Sequence, residues 1–294
     1  MKALQFMSRW KTVTGWTLLL VVLFSFAPPT SADLPEPSGY RPGDIVSGFS
    51  SALRKDWKND DLGTLHPEGS MVSLADFKGK IVFVLFFDPW CSICRVGLDS
   101  TTSQIRDYYA ARKGNANGIP VEFFVINLEP ADYAQEEADR LLDQYHVALR
   151  GNDYVPERSD IAVDLFSRHT LKPVFVAINC VTGSPSHQSQ ELLFNTSGVV
   201  ESQIPSLIPV WQNAIDSVEA PPPSLEKPEK PADGAFEFTL NGRLNQTYRI
   251  ESTSNFDQWD FAAEFVGTNG PFVFRDDGAE PGGLRFFRVF SPPQ

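Results

Sequence analysis

The sequence predicts an α/β domain, with a central sheet flanked by helices, followed by a small all-β domain. Ile81–Phe87 is an unbroken run of seven apolar residues rich in β-branched and aromatic types, which is typical of a strand buried on both faces. Val121–Leu128 predicts the next buried strand, and Asp132–His146 has the apolar spacing of an amphipathic helix. From residue 234 onward, apolar and polar residues alternate between Asn, Gly, Asp and Pro turns, which indicates strands only.

Local patterns predict the remaining elements of the first domain. A short helix is expected around Ser50–Lys58, a small hairpin at Leu65–Leu74, an edge strand at Glu191–Asn195 and a closing amphipathic helix at Ile204–Val218. A run of acidic residues is expected on a solvated face and not at a metal site. These residues are Glu129, Asp132, Glu136, Glu137 and Asp139.

Two cysteines follow the first buried strand directly. Cys91 and Cys94 are separated by two residues and stand where the helical segment Arg95–Lys113 begins. At a helix N-terminus, unpaired backbone amides and the helix dipole stabilise a thiolate. A strand that leads into Trp-Cys-X-X-Cys and then into a helix is therefore typical of a reversible dithiol.

A wider motif surrounds these cysteines. Met71–Cys94, with the sequence MVSLADFKGKIVFVLFFDPWCSIC, resembles the thioredoxin superfamily, and most closely its secreted TlpA/ResA-like thiol–disulfide oxidoreductases. The resemblance covers about Tyr40–Ser217 and implies a thioredoxin-like fold with a central mixed sheet flanked by helices. It also implies an enzyme that exchanges its dithiol with thiols and disulfides of partner proteins, including a redox partner that the sequence does not identify.

The resemblance also implies which residues form the site. Cys91 would be the attacking thiol, Cys94 the resolving thiol, and Trp90 would cover the dithiol on one side. Pro173 matches the cis-proline that thioredoxin-like proteins carry at a strand start beside the dithiol, and it is expected in the groove that binds the partner. Asp88 has two interpretations that stay open here, a cap of the loop or helix and a proton relay.

The position of the proton acceptor departs from thioredoxin. Thioredoxin has a buried Asp six residues before the first cysteine, and this chain has Leu85 there. Glu122 is the substitute that the sequence offers, and otherwise proton transfer to Cys94 would depend on Asp88 or water. The charge of Lys172 is expected to favour the thiolate, whereas that of Asp88 opposes it.

Other chemistries match the pattern less well. The P-x-x-x-T-x-x-C pattern of peroxiredoxins is absent, and a Sco-like copper carrier needs C-x-x-x-C, one residue more than the spacing here, although His169 offers a distant ligand. Zinc is not expected, because a single C-x-x-C lacks a second pair of ligands, and no cofactor is expected. A non-catalytic thioredoxin-fold binding protein with a structural Cys91–Cys94 disulfide remains an alternative.

Composition narrows the partners. The chain of 294 residues has a formal net charge of −12, which makes nucleic acid and anionic membrane surfaces poor partners. Three cysteines leave at least one that is free or pairs between chains. Cys180 follows an apolar run, and a buried, inert thiol is expected there.

The first 32 residues have the pattern of a signal peptide. Lys2, Arg9 and Lys11 precede the apolar segment Trp16–Ala27, and Thr30–Ala32 is a small-residue cleavage site. A segment of twelve residues is short for a membrane span, which needs about 20. Contact with a membrane is therefore expected only through an uncleaved segment. Export to an oxidising compartment, periplasmic or extracellular, is expected.

The predicted order of domains is a signal peptide at 1–32, a thioredoxin-like domain at 40–218, a linker at 219–233 and a small β-sandwich-like module at 234–292. The linker is rich in proline and in charged residues, and this composition is typical of a stiff, solvated spacer.

We expect cleavage of the exported protein after Ala32, because the positive, apolar and small-residue regions follow one another in the order that signal peptidase requires. N-terminal sequencing of the exported protein should begin at Asp33. A mature chain that begins at Met1 would contradict the prediction.

Overall fold

A mixed sheet forms the centre of the first part of the chain in the computed structural model. The structure describes residues 39–59, 63–129, 132–153, 162–167, 171–222, 224–229, 235–242, 246–267, 271–277 and 284–290. The predicted signal peptide and His169 lie outside the described residues. The strands of the first part are β1 (Ser50–Leu53), β2 (Trp57–Asn59), β3 (Thr64–His66), β4 (Met71–Ser73), β5 (Ile81–Phe87), β6 (Val121–Asn127), β7 (Arg150–Asn152), β8 (Val174–Asn179) and β9 (Glu191–Ser197).

The central sheet has seven strands in the order β4-β1-β7-β6-β5-β8-β9. β5 lies parallel to β6, with Leu85 beside Val125, and antiparallel to β8, with Phe86 opposite Val174. All seven side chains of β5 are buried, because one layer of apolar residues covers each face of the sheet. The predicted central strand is therefore confirmed, together with its burial on both faces.

The α-helices of the described chain pack on one face of the sheet, because their buried residues belong to the core that contains Leu85. They are α1 (Ser92–Thr101), α2 (Tyr108–Arg112), α3 (Asp132–Gln144) and α4 (Ile204–Asp216). Loops and two short 3-10 helices, Leu74–Phe77 and Ala162–Leu165, cover the other face. A π-helical segment, Thr102–Asp107, joins α1 to α2, so the chain is helical without a break from Ser92 to Arg112. The predicted helix after the cysteines is thus confirmed, with one wider turn inside it.

The predicted closing helix is also confirmed as α4, which packs along the helices that follow the dithiol. The Tyr109 hydroxyl donates to the Gln212 carbonyl at 3.1 Å. Beyond α2, the buried Asn115 side chain donates to the carbonyls of Ile215 and Val218, each at 2.9 Å. The C-terminal end of α4 is therefore fixed to the loop that follows α2.

Two predictions near the N-terminal edge of the sheet are wrong. Ser50–Lys58 is not a short helix: β1 pairs with β4 on one side and β7 on the other, and this pairing outweighs a local helical preference. Leu65–Leu74 is not a hairpin. Its turn at Pro67–Ser70 is present, but β3 pairs with β2 while β4 pairs with β1. The expected edge strand is correct, since β9 is the last strand of the sheet among the described residues, with β8 on one side and the isolated bridge Ile45–Glu191 on the other.

The C-terminal module contains two three-stranded antiparallel sheets in the orders β10-β11-β14 and β13-β12-β15. Aromatic rings from the two sheets meet between them, with Phe236 stacked on Phe287 at 5.2 Å and Phe265 on Phe272 at 4.1 Å. The module is therefore a small sandwich with its own apolar core. Its strands are β10 (Ser224–Glu229), β11 (Phe236–Asn241), β12 (Thr247–Thr253), β13 (Asp260–Val266), β14 (Phe272–Asp276) and β15 (Phe286–Phe290).

The predicted linker 219–233 needs a correction, because Ser224–Glu229 is the edge strand β10 of this module. The pairing of β10 with β11 shifts register between Glu226 and Glu229, and Pro228 stands inside that irregularity. A proline lacks the N–H that a regular ladder needs, so an irregular edge strand accommodates it. Proline content alone therefore overstated the length of the spacer.

None of the helices in the described part of the chain is long and apolar enough to cross a membrane.

The close packing of α1 on the sheet predicts that a larger residue at Gly97 would destabilise the fold. A Cβ atom at Gly97 would lie 2.8 Å from the Phe175 ring, which is fully buried and packs on Trp211 at 4.6 Å. Overpacking of this kind costs about 1–3 kcal/mol, more than the roughly 1 kcal/mol that alanine gains over glycine in a helix. Gly97→Ala should therefore lower the free energy of unfolding in urea by up to about 2 kcal/mol, the overpacking cost less the gain in helix propensity.

Ser100→Ala, in the same helix but partly exposed, is the matched control and should change little. A Gly97→Ala protein as stable as the wild type would show that the Phe175 ring can move without cost.

Candidate redox site

The two cysteines lie where β5 passes into α1. Cys91 is the N-cap residue of α1, and its N–H donates to the Asp88 carbonyl at 3.2 Å, which closes a tight turn after the strand. The N–H of Cys94, in the first turn of the helix, points at the Cys91 sulfur at 3.2 Å. The predicted position of Cys91 at a helix start, within reach of an unpaired amide, is thus observed.

The two sulfurs are within disulfide distance of each other, and the Cα atoms of the cysteines are 5.1 Å apart. Their surroundings differ. Cys94 is fully buried in the core on one face of the sheet, together with Leu85 and Leu98. Cys91 is only partly buried and packs against the edge of the same core. A molecule approaching from solvent therefore meets Cys91 first.

Pro173 lies at the same edge of the sheet. The Lys172–Pro173 peptide bond is cis, as the resemblance implied. Because Phe86 stands opposite Val174 in the antiparallel pair, the same register places Pro173 opposite Phe87, the last residue of β5. The proline and the turn that carries the dithiol therefore belong to neighbouring strand ends.

Trp90 precedes the dithiol and is 56% exposed. Its N–H donates to a carboxylate oxygen of Asp88 at 2.7 Å, which fixes the backbone of the turn. Its ring lies 6.3 Å from the ring of Tyr133 in α3, with the planes inclined by 45°. The Trp90 side chain thus projects from the surface beside the cysteines.

A cluster of three charged side chains lies at these strand ends. The Lys172 ammonium is 2.5 Å from Asp88 Oδ2 and 2.6 Å from Glu129 Oε1. Asp88 follows β5, Glu129 comes shortly after β6, and Lys172 shortly precedes β8. One cation between two carboxylates leaves the cluster with a net charge of −1.

The cluster keeps Asp88 and Lys172 ionised. Burial by itself raises the pKa of the Asp88 carboxyl, but hydrogen bonds from Lys172 and from the Trp90 N–H outweigh burial and lower that pKa. Burial likewise lowers the pKa of the Lys172 ammonium, but the two carboxylates outweigh it and raise that pKa. Asp88 therefore stays a carboxylate and Lys172 an ammonium across the neutral range.

These contacts favour the first of the two interpretations of Asp88, a cap of the loop. One of its oxygens accepts from Trp90 and the other from Lys172, so the side chain caps the turn. A carboxylate with a lowered pKa and two occupied oxygens is a poor proton acceptor. The expected help of Lys172 to a thiolate is also reduced, because two carboxylates already neutralise its charge.

The prediction that Glu122 takes the place of the buried thioredoxin aspartate is wrong. Glu122 stands beside Val82 at the start of β6, five residues before the end of β5, which is about 17 Å along a strand. Its carboxylate binds the buried Lys80 ammonium at 2.9 Å. Leu85, at the position where thioredoxin has its Asp, is a fully buried core residue.

Two residues of the site were missed. Glu129 was expected on a solvated face, yet it binds Lys172, and Tyr133 was not singled out at all. Both come shortly after β6, which runs parallel to β5. Because parallel strands end at the same edge of a sheet, residues after β6 were candidates for this site from the topology alone.

Other acidic residues of α3 also have cationic partners. Glu137 binds Arg95 at 3.2 Å and Arg140 at 2.7 Å. Asp139 binds Arg54 at 2.9 Å. The expectation of a simply solvated face is therefore wrong for these positions. In the part of the chain that the structure describes, no group of three or more His, Cys, Asp or Glu residues could hold a metal ion.

Cys180 is a buried free thiol, as predicted. Only 3% of it is exposed, and burial raises its pKa to about 12. At neutral pH it is therefore protonated and a poor nucleophile.

Removal of the central cation tests the cluster. Lys172→Met leaves two neighbouring carboxylates without their partner and should lower the free energy of unfolding at pH 7 by about 1–3 kcal/mol. A lowered pKa for Asp88 means that its contribution is present above its ordinary value of 3.8 and is lost as pH falls below it. The deficit of the variant, measured by urea unfolding, should therefore shrink at pH 3.

Lys78→Met, at an exposed lysine in the turn before β5, is the control and should match the wild type. A Lys172→Met deficit of equal size at pH 3 and pH 7 would show that the loss comes from packing and not from charge.

Comparison with known proteins gives structural neighbours only. No family model and no curated protein matches the chain. The chain is similar to solved structures of a secreted thiol–disulfide isomerase of Corynebacterium glutamicum (14% identity, 55% of this chain and 92% of that one, TM-score 0.35) and of a thiol–disulfide oxidoreductase thioredoxin domain of Bacteroides vulgatus (16%, 60% and 100%, 0.35). A third similar structure is that of a thio-disulfide isomerase of Thermus thermophilus, with 16% identity and a TM-score of 0.35. The match covers 59% of this chain and 97% of that one.

At these identities and scores, the similarities carry no conclusion about activity. The strand order of this chain identifies its fold without these comparisons. A mixed sheet has the dithiol at the end of its central strand and Pro173 at the start of the antiparallel neighbour. With α-helices on one face of that sheet and short 3-10 helices, Leu74–Phe77 and Ala162–Leu165, on the other, the described residues between 40 and 218 have the thioredoxin-like fold.

Proposed function

We propose that this chain is an exported thiol–disulfide oxidoreductase that exchanges the Cys91–Cys94 pair with thiols and disulfides of partner proteins. The observation that carries the proposal is the difference between the two sulfurs. Cys91 is partly exposed at a helix start, and Cys94 is fully buried one turn further on. A structural disulfide needs no such difference, whereas a two-step exchange needs one sulfur that partners reach and one that they do not.

In the reducing direction, the Cys91 thiolate attacks one sulfur of a partner disulfide. A mixed disulfide forms, and the other partner sulfur leaves as a thiolate that takes up a proton. Cys94 then loses its proton and attacks the Cys91 sulfur, which releases the second partner thiol. Two electrons pass from the dithiol to the partner, and the Cys91–Cys94 disulfide remains. The same steps in reverse oxidise a partner dithiol.

The helix start favours the thiolate on Cys91, since the Cys94 N–H already points at its sulfur at 3.2 Å. The net charge of −1 on the Asp88, Lys172 and Glu129 cluster opposes it. A moderately activated thiolate is the result of these two effects. Because both Asp88 oxygens are occupied, water is the acceptor that we assign to the Cys94 proton.

Pro173 has the role of shaping the groove for the partner. The peptide unit between Lys172 and Pro173 has no N–H, so the Lys172 carbonyl is the group of this unit that can pair with an extended partner segment. We assign the redox function to residues 40–218, because the module at 234–292 has a separate apolar core.

The order of attack tests the mechanism. Cys94→Ser should accumulate covalent mixed disulfides with partner proteins, because nothing resolves them, and Cys91→Ser should accumulate none. Iodoacetamide should label Cys91 before Cys94 in the reduced protein at pH 7. Non-reducing gels and peptide mapping measure both effects.

Cys180→Ser is the matched control, since that thiol is buried, and it should reduce insulin with dithiothreitol at the wild-type rate. If the wild type does not accelerate insulin reduction, the disulfide is structural and the chain is a binding protein. If Cys91→Ser is the variant that traps partners, the two sulfurs have the opposite roles.

A further inference from the structure

We propose that Tyr133 selects partners at the redox site, where it forms with Trp90 an aromatic pair that binds an apolar side chain next to the partner's reacting cysteine. The inference rests on the proposed function, and it names the class of substrate. That class is a protein or peptide disulfide with an apolar neighbour, as opposed to a small or strongly polar disulfide.

The first observation is the exposure of both rings. Tyr133 is 70% exposed and Trp90 56%, yet the rings lie 6.3 Å apart. Single apolar residues on a surface need no explanation, but adjacent large rings beside a reactive group are typical of binding sites. Aromatic side chains also supply a large contact area for little loss of rotamer freedom.

The second observation is that the backbone segments that carry both rings are held in place. The Trp90 backbone is held by Asp88 at 2.7 Å. Arg95 ties the turn to α3, because its Nε donates to the Pro89 carbonyl at 2.7 Å and its Nη2 to Glu137 at 3.2 Å. Tyr133 is the second residue of α3, whose buried face packs into the core of the sheet. The pair is therefore positioned before any partner arrives, which reduces the entropy lost on binding.

The third observation is the charge around the pair. The cluster of Asp88, Lys172 and Glu129 has a net charge of −1, and Glu137 with Arg95 and Arg140 has a net charge of +1, so the two clusters together are neutral. Their net charge therefore favours neither an acidic nor a basic partner segment. An uncharged apolar side chain gains contact with the rings and loses no ion pair, which favours it as the occupant.

The test uses two short peptides that each contain one disulfide and differ at the residue beside the cysteine, Leu in one and Ser in the other. The wild type should reduce the Leu peptide with a kcat/KM about fivefold above that of the Ser peptide, which corresponds to about 1 kcal/mol, the middle of the range for one aromatic contact. Tyr133→Ala should lose this preference, and Tyr133→Phe should keep it. Reduction of hydroxyethyl disulfide, which carries no side chain beside its sulfurs, measures the reactivity of the dithiol itself, and in Tyr133→Ala it should fall less than reduction of the Leu peptide.

Glu136→Ala, an exposed position in the same turn of α3, is the control and should keep the preference. A Tyr133→Ala protein that still prefers the Leu peptide overturns the inference and leaves the proposed function intact. Equal losses on all three substrates would also overturn it, since they indicate damage to the dithiol itself. A wild type that reduces none of the three contradicts the proposed function, and the inference fails with it.

Discussion

Burial of β5 on both faces is the constraint on which the rest of the α/β domain depends. Its side chains alternate between two apolar cores, one on each face of the sheet, so both cores depend on this strand. A strand that is buried on both faces must be covered by helices or loops on each side. Residues that react with a partner are then placed after its end and not within it. The dithiol stands at one end of the strand. Ile81, Phe83, Leu85 and Phe87 face one core, and Val82, Val84 and Phe86 face the other.

The site itself is assembled from three segments that are distant in sequence. Because β6 runs parallel to β5 and β8 runs antiparallel, the ends of the first two strands meet the start of the third. Lys172 joins these three points through Asp88 and Glu129. The cation thus ties the turn before Cys91 to the segment that contains Pro173.

Local patterns in the sequence predicted the parts of the fold that local physics determines. The apolar run of β5, the Cys-X-X-Cys pair and the helix after it lie within one short segment. Pro173 was identified through the resemblance, from its position before another apolar strand. The strand at Ser50–Leu53 was mistaken for a helix because its identity depends on pairing with β4 and β7. Glu129 and Tyr133 were missed for a related reason, since only the order of the strands brings them beside Cys91.

The point where the chain leaves the α/β domain limits what the C-terminal module can do. Ala220 still packs in the α/β core, and Ser224 already begins β10, so the tether spans at most about 14 Å. It starts beyond the C-terminal end of α4, near Asn115, whereas the first residue of α4 lies close to Gly97 in the helix that begins at the dithiol. With α4 about 20 Å long, the tether to the module therefore starts at the end of α4 that lies away from the dithiol.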